Sequence, residues 1–290
     1  DMVGEFPELQ GIMGAHYARH DGEEDAVATA IAEHYRPTQS GGALPSSLPG
    51  CCVALADKLD TLVGLFGIGQ PPSGSRDPFA LRRQALGVIR ICIEMRLELD
   101  MPSCLKEAAA QYSFDQDATV AAVSAYMTER LTNWYGDQNI GADKVAAVGG
   151  GKMGLSDYWR ADEAVRQLAD FSNLEVAEQA IAANKRVANI LRKEGANDNA
   201  MVQVDPDLFE TDTEAQLHDA LNAVSAKFAS GDLGLPEKIA ELAAMQPRID
   251  QFFDKVLVMA DDPRVQANRV GLLVNLRWLF LDVADFSLLQ

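Results

Sequence analysis

The chain has 290 residues, of which 48% are hydrophobic and 23% are charged. These fractions are ordinary for a folded protein and exclude a chain that is wholly disordered, collagen-like or disulfide-rich. Its 43 acidic residues outnumber its 25 basic residues, which gives a formal net charge of −18. Because such a charge repels phosphate backbones and anionic membranes, any nucleic-acid site must be a local basic patch on an acidic body.

Apolar residues repeat at helical spacing along the whole chain, and strand-like alternation is scarce, which predicts an all-α fold. In chain order, the predicted helices are one that ends near Arg19 and others over 24–35, 51–66, 79–99, two shorter segments within 103–135, and 174–194, 214–230, 236–245, 247–259 and 263–281. The glycine run Gly149–Lys152 lacks the spacing of a phosphate-binding loop and is typical of a flexible linker.

The sequence also bears on location in the cell. No segment approaches the ~20 apolar residues of a membrane helix. The first residues lack the pattern of a signal peptide and are typical of the middle of a helix, so we expect the chain to be part of a longer protein. Without a CxxC pair, the cysteines predict buried, reduced thiols in a cytoplasmic protein that has no membrane association. They are Cys51, Cys52, Cys92 and Cys104.

Two sets of polar residues suggest metal chemistry. His16 and His20 have the spacing of helical metal ligands, but the helix ends there without an obvious third ligand, which favours a solvated helix end. His34 precedes a glycine-rich loop, and Asp57 follows within an apolar helix. An Asp among apolar residues needs a partner, which can be a metal shared with His34 or a nearby cation such as Lys58. This arrangement resembles part of the HD-type phosphohydrolases, without their defining His-Asp doublet, and favours a structural, degenerate HD-like fold.

The basic residues form one notable pattern. Lys185, Asn189 and Arg192 are spaced by four and three, so they share one face of a helix, with Arg186 beside them. Two cations and an amide on one face can bind a phosphate and read a base edge. The alternative is a solvated helix face with Glu194 as counter-charge. On the last long helix, two arginines either extend this surface or pair with nearby aspartates. They are Arg269 and Arg277, and the aspartates are Asp261, Asp262 and Asp282.

Long collinear segments resemble the beta subunit of bacterial heterotetrameric glycyl-tRNA synthetase. The resemblance runs through the chain and is weakest over 103–173. The segments that carry it are Met2–Gly11, His16–Glu23, Ala54–Gly64, Phe66–Gly69, Asp77–Arg83, Ala183–Leu191, Phe252–Asp262 and Leu279–Gln290.

The resemblance implies the C-terminal part of that subunit, with three regions. These are an HD-like helical domain over 1–102 that is N-terminally incomplete and non-catalytic, a helical connector over 103–157, and a helical-bundle anticodon-binding domain over 158–290. It also implies an alpha2beta2 assembly in which the alpha subunit performs the ATP- and Mg²⁺-dependent aminoacylation of tRNA(Gly). The chain itself is then expected to hold no cofactor, metal or catalytic residue.

The resemblance makes four residues of one helix the leading candidates for contacts with tRNA: Lys185, Arg186, Asn189 and Arg192. Arg269 and Arg277 are weaker candidates. His34 and Asp57 match degenerate HD-motif positions. Two alternatives stay open: a metal-dependent phosphohydrolase that uses His34 and Asp57, and a helical scaffold for subunit assembly.

Overall fold

A computed structural model describes residues 2–172, 177–196 and 200–290. In this part of the chain the regular structure is helical and no β-strand is present, which confirms the predicted all-α class. The helices are α1 Met2–Glu5, α2 Ile12–His20, α3 Asp25–Glu33, α4 Leu48–Gly67, α5 Leu81–Glu94, α6 Met101–Ala109, α7 Gln116–Gly136, α8 Ala142–Gly150, α9 Tyr158–Phe171, α10 Ala177–Glu194, α11 Asp212–Ser230, α12 Leu235–Ala244, α13 Gln246–Lys255 and α14 Pro263–Leu281. Short 3₁₀ turns lie at Pro7–Leu9, Pro206–Leu208 and Phe286–Leu288.

Local sequence explains where several helices begin. Asp100, Asp115 and Asp262 each accept a hydrogen bond from a backbone N–H of the helix that follows, which satisfies one of its unpaired donors. Thr211 and Glu214 form a capping box at the start of α11. Proline lies in the first turn of α14, where its missing N–H costs nothing. The predicted bounds of α14, 263–281, agree with the structure.

The chain divides into two compact units. The first contains residues 1–138 and 156–160, and the second contains residues 139–155 and 161–290. The segment predicted as a connector, 103–157, is therefore divided between the units: α6 and α7 belong to the first and α8 to the second. The assignment of HD-like and anticodon-binding character to the two regions stays a prediction.

The first unit is organised around α4, which packs against α3, α5, α6 and α7. Its buried side chains include Leu59 and Leu62 from α4 and Val88 and Ile89 from α5. One buried residue of α4 is a cation, Lys58, whose side chain is 1% exposed. An ammonium group at this depth is rare unless it has a partner, and here the partner of Nζ is the His34 carbonyl.

In the second unit, α14 packs against α10 and α11, and α13 also contacts both of them. Leu272, Leu276 and Phe280 from α14 are buried in this core. The high proportion of buried positions along α14 explains why the helix lacks a polar face, apart from the charged residues that find partners inside the unit.

The glycine run at the end of α8 is packed, so the prediction of a flexible linker is wrong. A Cβ on Gly150 would lie 3.0 Å from the Cβ of Asp285, and a Cβ on Gly151 would lie 2.9 Å from the Cα of Ala284. The Lys152 N–H donates to the Leu281 carbonyl at 2.8 Å. The glycines therefore allow the end of α8 to approach the last turn of the chain closely.

Candidate functional site

The candidate basic residues of α10 lie on its exposed side. Lys185, Arg186, Asn189 and Arg192, called here the α10 basic face, are all exposed. On the other side of the helix, Val187 and Leu191 are buried. The structure therefore brings the four predicted residues to one surface.

Within the described part of the chain, the α10 basic face carries unpaired charge. Lys185 and Arg192 take part in no ion pair there. Glu194, the expected counter-charge, accepts a hydrogen bond from Gln266 Nε2 at 3.1 Å. The Arg186 guanidinium lies 4.1 Å from the ring centroid of Phe253 on α13, which is a cation–π contact. The cations of this face are thus available to an anion.

Sequence reasoning missed Phe253. Its partly buried ring lies within cation–π distance of the Arg186 guanidinium. A planar arginine guanidinium is a surface on which a nucleobase can stack. A signal was present in the sequence, because Phe252 and Phe253 are adjacent on a helix and only one of them can face the core.

Arg269 does not lie on the surface. Its side chain is 6% exposed, and its Nε donates to Glu214 Oε1 at 2.8 Å. A second nitrogen, Nη2, donates to Glu210 at 2.6 Å, and Nη1 donates to the Leu257 carbonyl. Burial alone would raise the pKa of Glu214, but hydrogen bonds from Arg269 and Thr211 lower it overall. Arg269 is therefore a structural residue that joins α14 to the start of α11.

Arg277 is buried in the same way. Its two terminal nitrogens donate to the two carboxylate oxygens of Asp285 at 2.6 and 2.5 Å, and Nη1 also donates to Asn184. Burial acts to raise the pKa of Asp285, but the hydrogen bonds from Arg277 and Ser287 lower it overall. The expectation that Arg269 and Arg277 extend the basic surface is wrong. The alternative that they pair with carboxylates holds, although the partners are Glu214, Glu210 and Asp285.

The HD-motif positions do not form a ligand set. His34 Nδ1 lies 2.8 Å from the Ile31 carbonyl, and its ring packs against Tyr35. Asp57 is half-buried, whereas the buried charge of this helix is its neighbour Lys58. Lys58 Nζ donates to the His34 carbonyl at 3.0 Å. Among the described residues, no three His, Cys, Asp or Glu side chains come together in a way that fits a metal ion.

The cysteines are free thiols, and three of the four are buried or partly buried. Cys51 and Cys92 are buried, Cys104 is partly buried, and Cys52 is exposed, contrary to the prediction. Burial raises the pKa of the Cys92 thiol to about 12, so this thiol stays protonated at neutral pH. None of the helices in the described residues is long and apolar enough to cross a membrane.

Known proteins similar to this chain give its family. A family model for the glycyl-tRNA synthetase beta subunit matches residues 1–150. Glycine–tRNA ligase beta subunits from Aeromonas salmonicida, Sodalis glossinidius and Hahella chejuensis are 46%, 45% and 43% identical to it. This chain belongs to the glycyl-tRNA synthetase beta-subunit family. Each match covers 100% of the chain and 42% of the relative, so the chain spans less than half the length of these family members.

Membership of this family changes how the α10 basic face is interpreted. A pattern of exposed cations on one helix is by itself common on protein surfaces. In a family whose members carry a tRNA ligase name, the same pattern is a candidate for contacts with RNA. The four residues lie outside the span of the family model, at 185–192, but inside the aligned length of the relatives.

Proposed function

We propose that this chain is the tRNA-binding part of the beta subunit of a glycine–tRNA ligase. In this role it holds tRNA(Gly) so that the acceptor end reaches an active site on the alpha subunit of an alpha2beta2 enzyme. The observation that carries the proposal is the α10 basic face: Lys185, Arg186 and Arg192 are exposed cations in a family of tRNA ligase subunits, on a chain with a net charge of −18.

The chemistry of the face suits RNA. Lys and Arg neutralise backbone phosphates, which supplies affinity without sequence information. Asn189 lies between Lys185 and Arg192 on the same face, and its amide is able to donate to and accept from a base edge. Arg186, which is in cation–π contact with Phe253, offers a planar cation to an unstacked base. Single-stranded bases of this kind occur in an anticodon loop.

Catalysis is assigned to the partner. ATP and Mg²⁺ would act in the alpha subunit, where glycine is activated, and this chain would contribute orientation of the tRNA. Holding two reactants in the correct geometry lowers the entropic part of the barrier without any covalent role for the residues that do so. The acidic body supports selectivity, because it repels RNAs that do not engage the basic face.

The proposal is tested by the salt dependence of tRNA binding. The 290-residue chain and its K185Q/R186Q/R192Q variant are titrated with glycine tRNA between about 50 and 200 mM salt. Each phosphate contact contributes about 0.7 to 0.9 to the slope of log K against log salt, so the variant is expected to lose about 2 units of slope. A variant with the same change in charge, R19Q/K106Q/R264Q, serves as the control because these three cations are exposed elsewhere.

Two results would contradict the proposal. Equal slopes for the wild type and the α10 variant would show that this face does not contact tRNA, and would favour a scaffold role in subunit assembly. An equal loss in the control variant would show that affinity follows total charge and not this surface.

A further inference from the structure

The first unit contains a cationic cavity, whereas the α10 basic face belongs to the second unit. The cavity has a volume of about 380 Å³, which is within the range of cavities that hold small ligands. No carboxylate lines it, although the chain contains 43 acidic residues. The lining residues are Pro37, Gln39, Ser40, Arg82, Arg83, Leu86, Gly87 and Arg90.

The three arginines of the cavity differ in how they are held. Arg90 is buried, and it donates to both carboxylate oxygens of Glu94 and to the Gly42 carbonyl. Arg82 donates to the Gly74 carbonyl, and its nearest carboxylate, on Asp77, is 4.0 Å away. Arg83 is exposed and has no hydrogen bond or ion pair within the described residues. At least one guanidinium of the cavity is therefore not matched by an acidic group.

A fourth cation lies behind the cavity wall. The Lys58 side chain passes Gly87, where an added Cβ would lie 2.9 Å from Lys58 Cε and 3.3 Å from Pro37 Cδ. Lys58 is 1% exposed, and the partner of its Nζ is the neutral His34 carbonyl. Burial and, to a lesser extent, the charge of Arg83 lower the pKa of Lys58 to about 8 despite the opposing effect of Asp57. Lys58 and Arg83 thus repel each other, and an anion between them would stabilise both.

We propose that this cavity binds the phosphate group of a small phosphomonoester, with Arg83 and Arg82 as the direct ligands of the phosphate and Lys58 as a buried charge behind it. The polar side chains of Gln39 and Ser40 and the apolar surfaces of Pro37 and Leu86 line the remaining space, where they contact the organic part of the ester. The size of the cavity favours a small ligand over a polymer. The proposal for this site does not depend on tRNA binding by α10.

The test is calorimetric titration of the 290-residue chain in a buffer free of phosphate. Inorganic phosphate and adenosine monophosphate are the probes, and adenosine is the control without a phosphate. At least one phosphate-bearing probe is expected to saturate with a Kd below about 10 mM. R83Q should weaken that binding by about tenfold or more, as expected for loss of a charge-assisted hydrogen bond. R19Q removes one exposed arginine elsewhere in the same unit and should bind like the wild type.

A second variant and an RNA probe complete the test. K58M keeps an unbranched side chain at the buried position and removes the charge, so it should also weaken binding, and thermal melts establish that both variants fold. The proposal is overturned if neither phosphate-bearing probe saturates, if adenosine binds as well as its monophosphate, or if R83Q binds like R19Q. It is also overturned if a short RNA shows dependence on Arg83 and neither small probe does.

Discussion

Helices α10 and α14 of the second unit both carry basic residues, and they use them in opposite ways. On α10, Lys185, Arg186 and Arg192 are exposed. On α14, Arg269 and Arg277 are buried and donate to carboxylates. The same residue type thus serves as a candidate RNA contact on one helix and as an internal clamp on the other.

The difference between the two helices comes from distant parts of the chain. Glu214, the partner of Arg269, lies 55 residues earlier and is also the last residue of the capping box of α11. Asp285, the partner of Arg277, is held close to the glycines at the end of α8. A basic residue on a helix is free for a ligand only when no other element supplies it with a carboxylate.

The largest expected effect is the loss of a buried ion pair. Arg269→Met leaves Glu214, which is fully buried, without its main charged partner. We expect the free energy of unfolding to fall by about 3–5 kcal/mol, the range for breaking one side of a buried pair. Urea unfolding followed by circular dichroism measures this difference.

The matched change on the other helix is Arg192→Met. Because Arg192 is exposed and has no ion pair among the described residues, this variant should stay within about 0.5 kcal/mol of the wild type. Similar losses for the two variants would contradict the distinction between the helices.

A smaller effect is expected for Lys58, a buried cation without a bonded carboxylate. Its pKa in the folded protein is about 8, whereas the pKa of an unperturbed lysine is 10.5. The unfolded chain therefore binds more protons between these values, and the stability contributed by this site rises with pH. The difference in unfolding free energy between the wild type and K58M should increase by about 2 kcal/mol from about pH 7 to pH 10.

The tyrosines and thiols titrate in both proteins. Their contribution therefore cancels when the unfolding free energy of K58M is subtracted from that of the wild type. Urea unfolding at several pH values, in a buffer without phosphate, provides the measurement. A difference between the wild type and K58M that stays constant over this range would mean that Lys58 is not desolvated as the structure indicates.

The smallest expected effect concerns Arg186 and Phe253. Their cation–π contact is partly exposed and is worth about 0.5–1 kcal/mol. A double-mutant cycle with Arg186→Gln and Phe253→Leu should give a coupling free energy in that range. A coupling near zero would show that the guanidinium is not held on the ring, and would remove the stacking argument for this residue.

Much of the fold could be predicted from helical periodicity and from helix-start signals. Asp262 and Pro263 mark the beginning of α14, and the predicted bounds of that helix agree with the structure. The glycine run at 149–151 led to the wrong prediction of a flexible linker, because glycine is typical both of flexible segments and of close packing. Only the position of Ala284 and Asp285 beside it distinguishes the two.

The candidate site could be predicted from the sequence only in part. The spacing of 185, 189 and 192 was sufficient to place one exposed face on α10, since helical geometry is local. The burial of Arg269 and Arg277 was not predictable, because their partners are set by the packing of α11 and of the chain's last turn. Asp57 is only half-buried and Lys58 is buried because of the rotation of α4 about its axis, which the apolar pattern alone left undetermined.

The central claim is that this chain recognises glycine tRNA through α10. Its most direct test is the binding of the 290-residue chain to three RNAs at low and physiological salt: glycine tRNA, the same tRNA with a substituted anticodon, and a non-cognate tRNA. The expected result is tightest binding to glycine tRNA, weaker binding after the anticodon change, and loss of this preference in the variant K185Q/R186Q/R192Q to which Asn189→Ala has been added. Equal binding of all three RNAs, or a preference that survives in the variant, would contradict it.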